Sequence, residues 1–236
     1  MKHKLYDYGD LFPATLLRRF KRFLMDVRFP NGKVESIFCP NTGSMLGCCA
    51  PDSPVMLSYS GSPKRKTRYT LEMIKADGIW VGVNTHLTNH IAEQLISQGL
   101  AHAPINGCPA NIKREWTYGN SRLDFLLAYE DRRCCVEVKN VTLTHEDTAL
   151  FPDAVTARGT KHLKTLMELA GEKTDACMIY IVQRPDCADF SPAKEIDPEY
   201  AKTVKAAMEN GVHCLAYRFE VSPDGVYLLG RLPVRV

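Results

Sequence analysis

The sequence contains none of the short motifs that identify several large enzyme classes. It has no Gly-Lys-Ser/Thr phosphate loop, no Gly-x-Gly-x-x-Gly turn, no His-Glu-x-x-His pair and no Gly-x-Ser-x-Gly elbow. The first two absences argue against P-loop NTPases and dinucleotide enzymes, because both hold phosphates on such glycine-rich loops. The other two argue against zinc peptidases and serine hydrolases.

Long hydrophobic runs, internal repeats and low-complexity tracts are also missing. The uncharged stretches are broken by Pro, Gly, Asn and Gln, so we expect no membrane span and no membrane partner. The basic N-terminal segment has no apolar stretch of the kind found in secretory signals. The 236 residues are 45% apolar and 24% charged, which is typical of a soluble globular protein with one large or two small domains.

Nine cysteines are present, but no Cys-x-x-Cys pair. The neighbours Cys48-Cys49 and Cys134-Cys135 would point to opposite faces of a strand, so neither pair can imitate a zinc knuckle. An odd number of cysteines without a secretion signal indicates a reduced, cytoplasmic setting rather than a disulfide framework. We expect these cysteines to be small buried apolar side chains.

Charge is distributed unevenly along the chain. Residues 1–80 contain 13 Lys or Arg and 7 Asp or Glu, whereas residues 81–236 contain 17 and 20. A basic part joined to an acidic part suggests a polyanion-binding module beside a second unit. Chance is the alternative, because the net charge of +3 is modest.

Turn residues and short alternating runs predict β structure in the N-terminal part. Asn31-Gly32 is a strong hairpin signal, and Asp77-Gly78 marks another turn. Strands are predicted at residues 19–29, 33–39, 55–60, 68–74 and 79–83. Five short strands with turns between them suit a small closed barrel, which we assign to residues 1–83.

Helical spacing begins near residue 84. Helices are predicted around residues 87–96, 163–170 and 198–208, the last with Asp197 as its N-cap and Pro198 at its first position. Strands are predicted at residues 112–118, 122–128, 133–138, 177–182 and 212–221. The order helix, three strands, helix, strand, helix, strand predicts a mixed α/β unit over residues 84–236.

One constellation of charged residues has the chemistry of a metal site. Asp124 interrupts an apolar strand, and Glu137-Val138-Lys139 follows after twelve intervening residues. Alternate residues of a strand share a face, so Glu137 and Lys139 project together while Val138 enters the core. In a hairpin Asp124 would lie alongside Glu137, and two adjacent carboxylates need a proton or a cation between them. We predict that both bind Mg²⁺ or Mn²⁺, and that Lys139 holds a phosphate or orients a water.

A solvated sheet face with an ordinary Glu–Lys pair is the alternative to this metal site.

Three further residues are secondary candidates for the same site. Glu115, in the preceding strand, would add a third carboxylate or lie on the surface. Arg158 and His162 are four residues apart, so they share a helix face that could meet the metal or a phosphate.

Two basic runs in the N-terminal part are candidate nucleic-acid contacts, since such surfaces combine cations with aromatic side chains. One contains Lys64, Arg65, Lys66 and Arg68, and the other contains Arg19 and Arg22, interleaved with Phe20 and Phe23. The alternative is a solubilising loop.

Seven segments, in the same order along the chain, resemble the bacterial sugar fermentation stimulation protein A family. They are RFKRFL at 19–24, CPNTGSM at 39–45, KRK at 64–66, VNT at 83–85, SRLDF at 121–125, EVKNVT at 137–142 and FPDAVTARG at 151–159. The resemblance implies an OB-fold barrel followed by a domain similar to PD-(D/E)XK nucleases. It also implies DNA binding and a proposed regulatory role in the use of maltose or other sugars.

Carried over by position, the resemblance implies metal binding by Asp124 and Glu137, with Lys139 as the catalytic lysine. Leu123 stands where the nuclease motif has proline, and that proline is often replaced in such folds. Because a fold hosts many functions, three hypotheses stay open. They are a Mg²⁺-dependent deoxyribonuclease, a DNA-binding regulator that does not cut, and an RNA- or protein-interaction module. The oligomeric state also stays open, a homodimer included.

Overall fold

The computed structural model describes residues 2–236, and within them it contains sixteen strands and three helices. In chain order the elements are β1 (His3–Tyr6), β2 (Leu11–Phe20), β3 (Leu24–Arg28), β4 (Val34–Phe38), β5 (Pro54–Tyr59), β6 (Tyr69–Ala76), β7 (Ile79–Gly82), α1 (Thr85–Ser97), β8 (Asn111–Tyr118), β9 (Ser121–Ala128), β10 (Arg133–Val141), β11 (Leu143–His145), β12 (Thr148–Phe151), α2 (Ala157–Leu169), β13 (Thr174–Val182), β14 (Asp189–Pro192), α3 (Pro198–Glu209), β15 (Val212–Ser222) and β16 (Gly225–Leu232).

The N-terminal strands form a small barrel, as the sequence predicts. Neighbours run in the order β4, β3, β2, β5, β6, and the ring returns to β4 through the single pair Phe38 and Thr70. Strand β7 extends the sheet beyond β6 as a hairpin around Gly78. Inward side chains such as Leu16, Met25 and Leu57 are fully buried, so alternate residues of each strand build the barrel core.

The predicted strand at residues 19–29 is wrong. These residues belong to two antiparallel strands, β2 and β3, joined by a tight turn at Lys21-Arg22-Phe23. The Leu24 amide donates to the Lys21 carbonyl at 2.9 Å, and Lys21 has a φ of 42°. No Gly, Pro or Asn marks this turn, so the sequence pattern hides it.

A seven-stranded mixed sheet forms the second unit, in the order β1, β16, β15, β13, β10, β9, β8. Its central strands β10, β13 and β15 are parallel, whereas β8 and β9 form an antiparallel edge. Helix α1 covers one face, and helices α2 and α3 cover the other. The predicted order of three helices and five strands is therefore present, and the fold is the expected mixed α/β.

Several strands have no counterpart in the predicted pattern. The first, β1, does not join the barrel but pairs with β16 at the edge of the large sheet. A separate three-stranded sheet contains β11, β12 and β14. These strands are short or border irregular segments, so the alternation of apolar and polar residues along them is weak.

Side-chain caps set the starts of the helices. Asn84, Thr156 and Asp197 are the N-caps of α1, α2 and α3, and each side chain accepts a hydrogen bond from a backbone amide of the first turn. The Asp197 cap with Pro198 confirms the prediction. Within residues 2–236, no helix is long and apolar enough to cross a bilayer.

The cysteines are free thiols, as expected. Seven of the nine are buried as expected, and Cys49 is half-buried, but the expectation of burial is wrong for Cys108, which is exposed.

Candidate functional site

A cleft of about 450 Å³ lies where the barrel meets the large sheet. The barrel contributes Arg22 and the loop Asn41-Thr42-Gly43 to its wall. The second unit contributes residues from α1, β9, β10 and the segment that leads into α2. All three residues of the predicted constellation, Asp124, Glu137 and Lys139, line this cleft.

Asp124 lies where strands β9 and β10 stop pairing. The antiparallel ladder ends at Phe125 and Val136, so Asp124 comes next to Glu137, as predicted. Its Oδ2 accepts the Val138 amide at 2.8 Å, and its Oδ1 accepts Nδ2 of Asn89 at 2.7 Å. Burial and the neighbouring Glu137 carboxylate raise the pKa of Asp124 above its usual value.

Glu137 and Lys139 project together into the cleft, and Val138 packs into the core as expected. Oε1 of Glu137 accepts Nζ of Lys139 at 2.5 Å and is also bonded to Nδ1 of His162. Burial alone raises the pKa of Glu137, but Lys139 and His162 outweigh it, so the pKa lies below its usual value. The other oxygen, Oε2, is buried and has no hydrogen-bond partner.

The shared helix face predicted for Arg158 and His162 is present on α2. His162 is buried against Glu137, and Nε of Arg158 donates to Nε2 of His162 at 3.4 Å. With Nδ1 donating to the carboxylate, Nε2 is left as the acceptor for the arginine. Arg158 is itself exposed and lines the cleft, so a cation stands beside the two carboxylates.

Glu115 does not join the acidic pair. It has a φ of 49°, its side chain is exposed, and the nearest cation is Arg122, with Oε2 and Nη1 3.6 Å apart. The described part of the chain accordingly contains no group of three His, Cys, Asp or Glu side chains able to hold an ion. The site therefore offers a cation two carboxylates, those of Asp124 and Glu137. Oε2 of Glu137 has no other partner.

The structure gives Arg19 a different environment from the other basic candidates. Its guanidinium donates to the carbonyls of Gly43, Ser44, Arg22 and Asn41 at 2.8 to 3.1 Å. These bonds hold the loop that forms one wall of the cleft. Its role in nucleic-acid binding stays a prediction.

The remaining basic candidates are exposed. Arg22 lies on the β2–β3 turn and lines the cleft. Arg65 donates to Oγ1 of Thr70 at 2.8 Å, whereas Lys64, Lys66 and Arg68 extend from the β5–β6 loop into solvent.

Asp153 joins the barrel loop to the second unit, and the sequence pattern did not single it out. Its Oδ2 accepts the Met45 amide at 2.8 Å, and its carbonyl accepts Oγ of Ser44 at 2.6 Å. A Cβ on Gly43 would lie 2.6 Å from Oδ2 of Asp153, so the loop approaches closely because residue 43 has no side chain. Asn89, which orients Asp124, was also missed because no local motif marks it.

Two family models together match most of the chain. Residues 17–83 match the model described as the SfsA N-terminal OB domain, and residues 86–225 match the sugar fermentation stimulation protein RE domain. The boundary between them coincides with the start of α1.

Curated relatives described as sugar fermentation stimulation protein homologs match over nearly the full length. The protein of Geotalea uraniireducens is 48% identical over 227 residues, covering 96% of this chain and 97% of the relative. The protein of Geobacter sulfurreducens is 48% identical over 225 residues, covering 95% and 96%.

A solved structure, described as Pyrococcus furiosus SfsA in complex with Ca²⁺, has the same fold. Its TM-score is 0.91 at 30% sequence identity, over 99% of this chain and 100% of that chain. The match therefore covers the barrel and the large sheet together.

Proposed function

This chain belongs to the sugar fermentation stimulation protein family, and we propose that it binds DNA and hydrolyses it with a divalent cation held by Asp124 and Glu137. The observation that carries this proposal is the buried, unpartnered Oε2 of Glu137 beside Asp124 and Lys139. A buried carboxylate oxygen without a donor is costly, and a cation would satisfy it.

The two carboxylates fit a hard cation, because Mg²⁺, Mn²⁺ and Ca²⁺ all prefer oxygen ligands. Mg²⁺ in particular is usually bound by one or two protein carboxylates together with waters and substrate phosphates. The relative solved in complex with Ca²⁺ supports a cation of this class. When bound, such a cation would supply Lewis acidity and lower the pKa of a water molecule.

The chain's own residues would divide the remaining work. Lys139 would stabilise the negative charge that develops on the phosphate, since its ammonium group lies within the same cleft. Arg22 and Arg158 line this cleft from the barrel and from α2, so they would bind phosphates on either side. His162 and Asn89 would hold Glu137 and Asp124 in place.

A second function is favoured by the small number of acidic ligands. With two carboxylates and no third among the described residues, the site would also suit a protein that binds DNA without cutting it. Such a protein would act as a regulator, as the family's description in terms of sugar fermentation suggests.

One assay separates these functions. Supercoiled and single-stranded DNA are incubated with wild type, Asp124→Ala, Lys139→Ala and Glu137→Gln, with Mg²⁺, Mn²⁺ or EDTA. We expect metal-dependent cleavage by wild type and its loss in all three variants. The matched control is Glu115→Gln, an exposed carboxylate on the same sheet, which should cleave like wild type.

Other outcomes have definite meanings. DNA binding without cleavage in every protein would favour the regulator. Cleavage that survives in Glu137→Gln would remove the site assignment. RNA of equal length that outcompetes DNA would favour the RNA-interaction hypothesis.

A further inference from the structure

An exposed phenylalanine, Phe23, and a half-buried one, Phe38, lie close to residues that line the cleft. Phe23 follows Arg22 on the β2–β3 turn, and 43% of its surface is accessible. Its ring is nearly parallel to that of Phe38, with an interplanar angle of 21° and centroids 6.3 Å apart. The ring of the exposed His86 lies 5.9 Å from Phe38. We call Phe23, Phe38 and His86 the aromatic platform.

Cations flank the aromatic platform. The guanidinium of Arg22 lies 5.9 Å from the centre of the Phe23 ring, and that of Arg65 lies 5.6 Å from the centre of the Phe38 ring. Arg22 also lines the cleft, and so does Thr85, the neighbour of His86. The platform therefore adjoins the cleft that contains the two carboxylates, through the neighbouring residues Arg22 and Thr85.

A structural role for Phe23 does not account for its position. It lies on a turn, with much of its ring in water, and it is absent from the barrel core. An exposed ring stacked on a half-buried one, with guanidinium groups beside both, matches a ligand with aromatic faces and negative charge. Nucleotides have both features.

We propose that the aromatic platform binds unpaired bases, so that the cleft takes single-stranded DNA in preference to duplex. This inference rests on the proposed function. Inside a duplex each base is stacked on its neighbours, so its faces are not available to a protein ring. In a single strand the bases are free to stack on Phe23 and Phe38 while Arg22 and Arg65 contact the phosphates. The strand then enters the cleft past Arg22.

Fluorescence anisotropy in EDTA tests the platform without cleavage. The probes are a labelled 20-nucleotide single strand, its duplex and an RNA of the same sequence. We expect wild type to bind the DNA single strand most tightly. Phe23→Ala should weaken that binding roughly 5- to 150-fold, the range for one stacked base, and leave duplex binding unchanged. Phe23→Trp should restore affinity, because its ring also stacks.

The salt dependence distinguishes stacking from charge. Phe23→Ala should leave the salt slope for the single strand unchanged, whereas Arg65→Ala should reduce it by about 0.7. The matched control is Phe12→Ala, an aromatic of the same barrel that is 37% exposed and packs with Tyr59 and Tyr69 instead. It should bind like wild type.

Three results would overturn the inference while leaving DNA binding standing. They are equal affinity for the two DNA probes, no effect of Phe23→Ala, and an equal loss in Phe12→Ala. Tighter binding of the RNA would also overturn it. If no nucleic acid binds to wild type, both this inference and the proposed function fail. Thermal melting of each variant verifies that it is folded.

Discussion

The imidazole of His162 on α2 is bonded through Nδ1 to Oε1 of Glu137 on β10. The two residues are 25 positions apart, and both side chains are only 4% exposed. Because Lys139 bonds the same oxygen, the carboxylate is held from two sides with Oε2 left free. The helix face of α2 thereby sets the orientation of a strand residue in the cleft.

Replacing His162 should loosen this carboxylate. His162→Phe keeps an aromatic ring of similar size but removes the donor, so we expect unfolding free energy to fall by about 1.5–3 kcal/mol, as for a hydrogen bond to a charged group. Affinity for Mn²⁺ should fall as well. Urea unfolding in EDTA and calorimetric Mn²⁺ titration measure the two effects. Lys164→Ala, on the exposed side of the same helix, is the control. If His162→Phe binds Mn²⁺ as tightly as wild type does, His162 contributes only to packing and does not position Glu137.

Arg19 and Arg22 should respond differently to alanine. Arg19 donates to four carbonyls of the cleft loop, so Arg19→Ala should lower the unfolding free energy by about 1–3 kcal/mol. Arg22 is exposed on its turn, so Arg22→Ala should leave stability unchanged and reduce the salt slope of single-stranded DNA binding by about 0.7. Urea unfolding and salt titrations of both variants check this. A loss of stability in Arg22→Ala together with a smaller salt slope in Arg19→Ala would show that Arg22 holds the loop and Arg19 contacts the DNA.

Gly43→Ala should disturb the contact between the barrel and the second unit. The new Cβ would lie 2.6 Å from Oδ2 of Asp153, so that carboxylate must move away from the Met45 amide. We expect a loss of about 1–3 kcal/mol in urea unfolding. Gly171→Ala is the control, because a Cβ there meets nothing within 4 Å. In an Asp153→Ala background, Gly43→Ala should lower the unfolding free energy by a smaller amount. Equal losses in the two backgrounds would argue against the clash.

Glu72 should make stability depend on pH. It is a buried carboxyl of the barrel, and burial raises its pKa although Ser58 and Asn84 donate to it. The folded protein therefore holds this proton more tightly than the unfolded chain. Its contribution to stability is greatest below the unfolded pKa, about 4.3, and is lost as pH rises through the raised folded pKa.

Glu72→Gln removes this titration and keeps both hydrogen bonds, because its amide oxygen can face Asn84 and its amide nitrogen can face the Ser58 hydroxyl. Relative to the variant, wild type should lose stability as the pH rises from about 4.3 towards neutrality. Urea unfolding across this range measures the difference. Glu130→Gln, at an exposed position, should track wild type throughout. A pH-independent difference between wild type and Glu72→Gln would contradict the assignment.

Local sequence patterns predicted much of the fold. Asn31-Gly32 marked a real hairpin, and Asp197 with Pro198 marked the start of α3. The turn at Lys21 escaped because its residues are not turn formers, and β1 escaped because its partner β16 lies at the other end of the chain. A strand's neighbour in a sheet depends on tertiary packing, which a local period does not encode.

Local sequence patterns are sufficient to place Asp124, Glu137 and Lys139 on their strands. Glu137 and Lys139 share a face of β10 because alternate residues of a strand point to the same side. The hairpin register then brings Asp124 of β9 next to Glu137. The surroundings of these three residues depend on tertiary packing. The approach of His162, the loop held by Arg19 and Asp153, and the pairing of Phe23 with Phe38 join residues from different elements. These contacts depend on how helices and strands pack against one another, and no local sequence pattern specifies that packing.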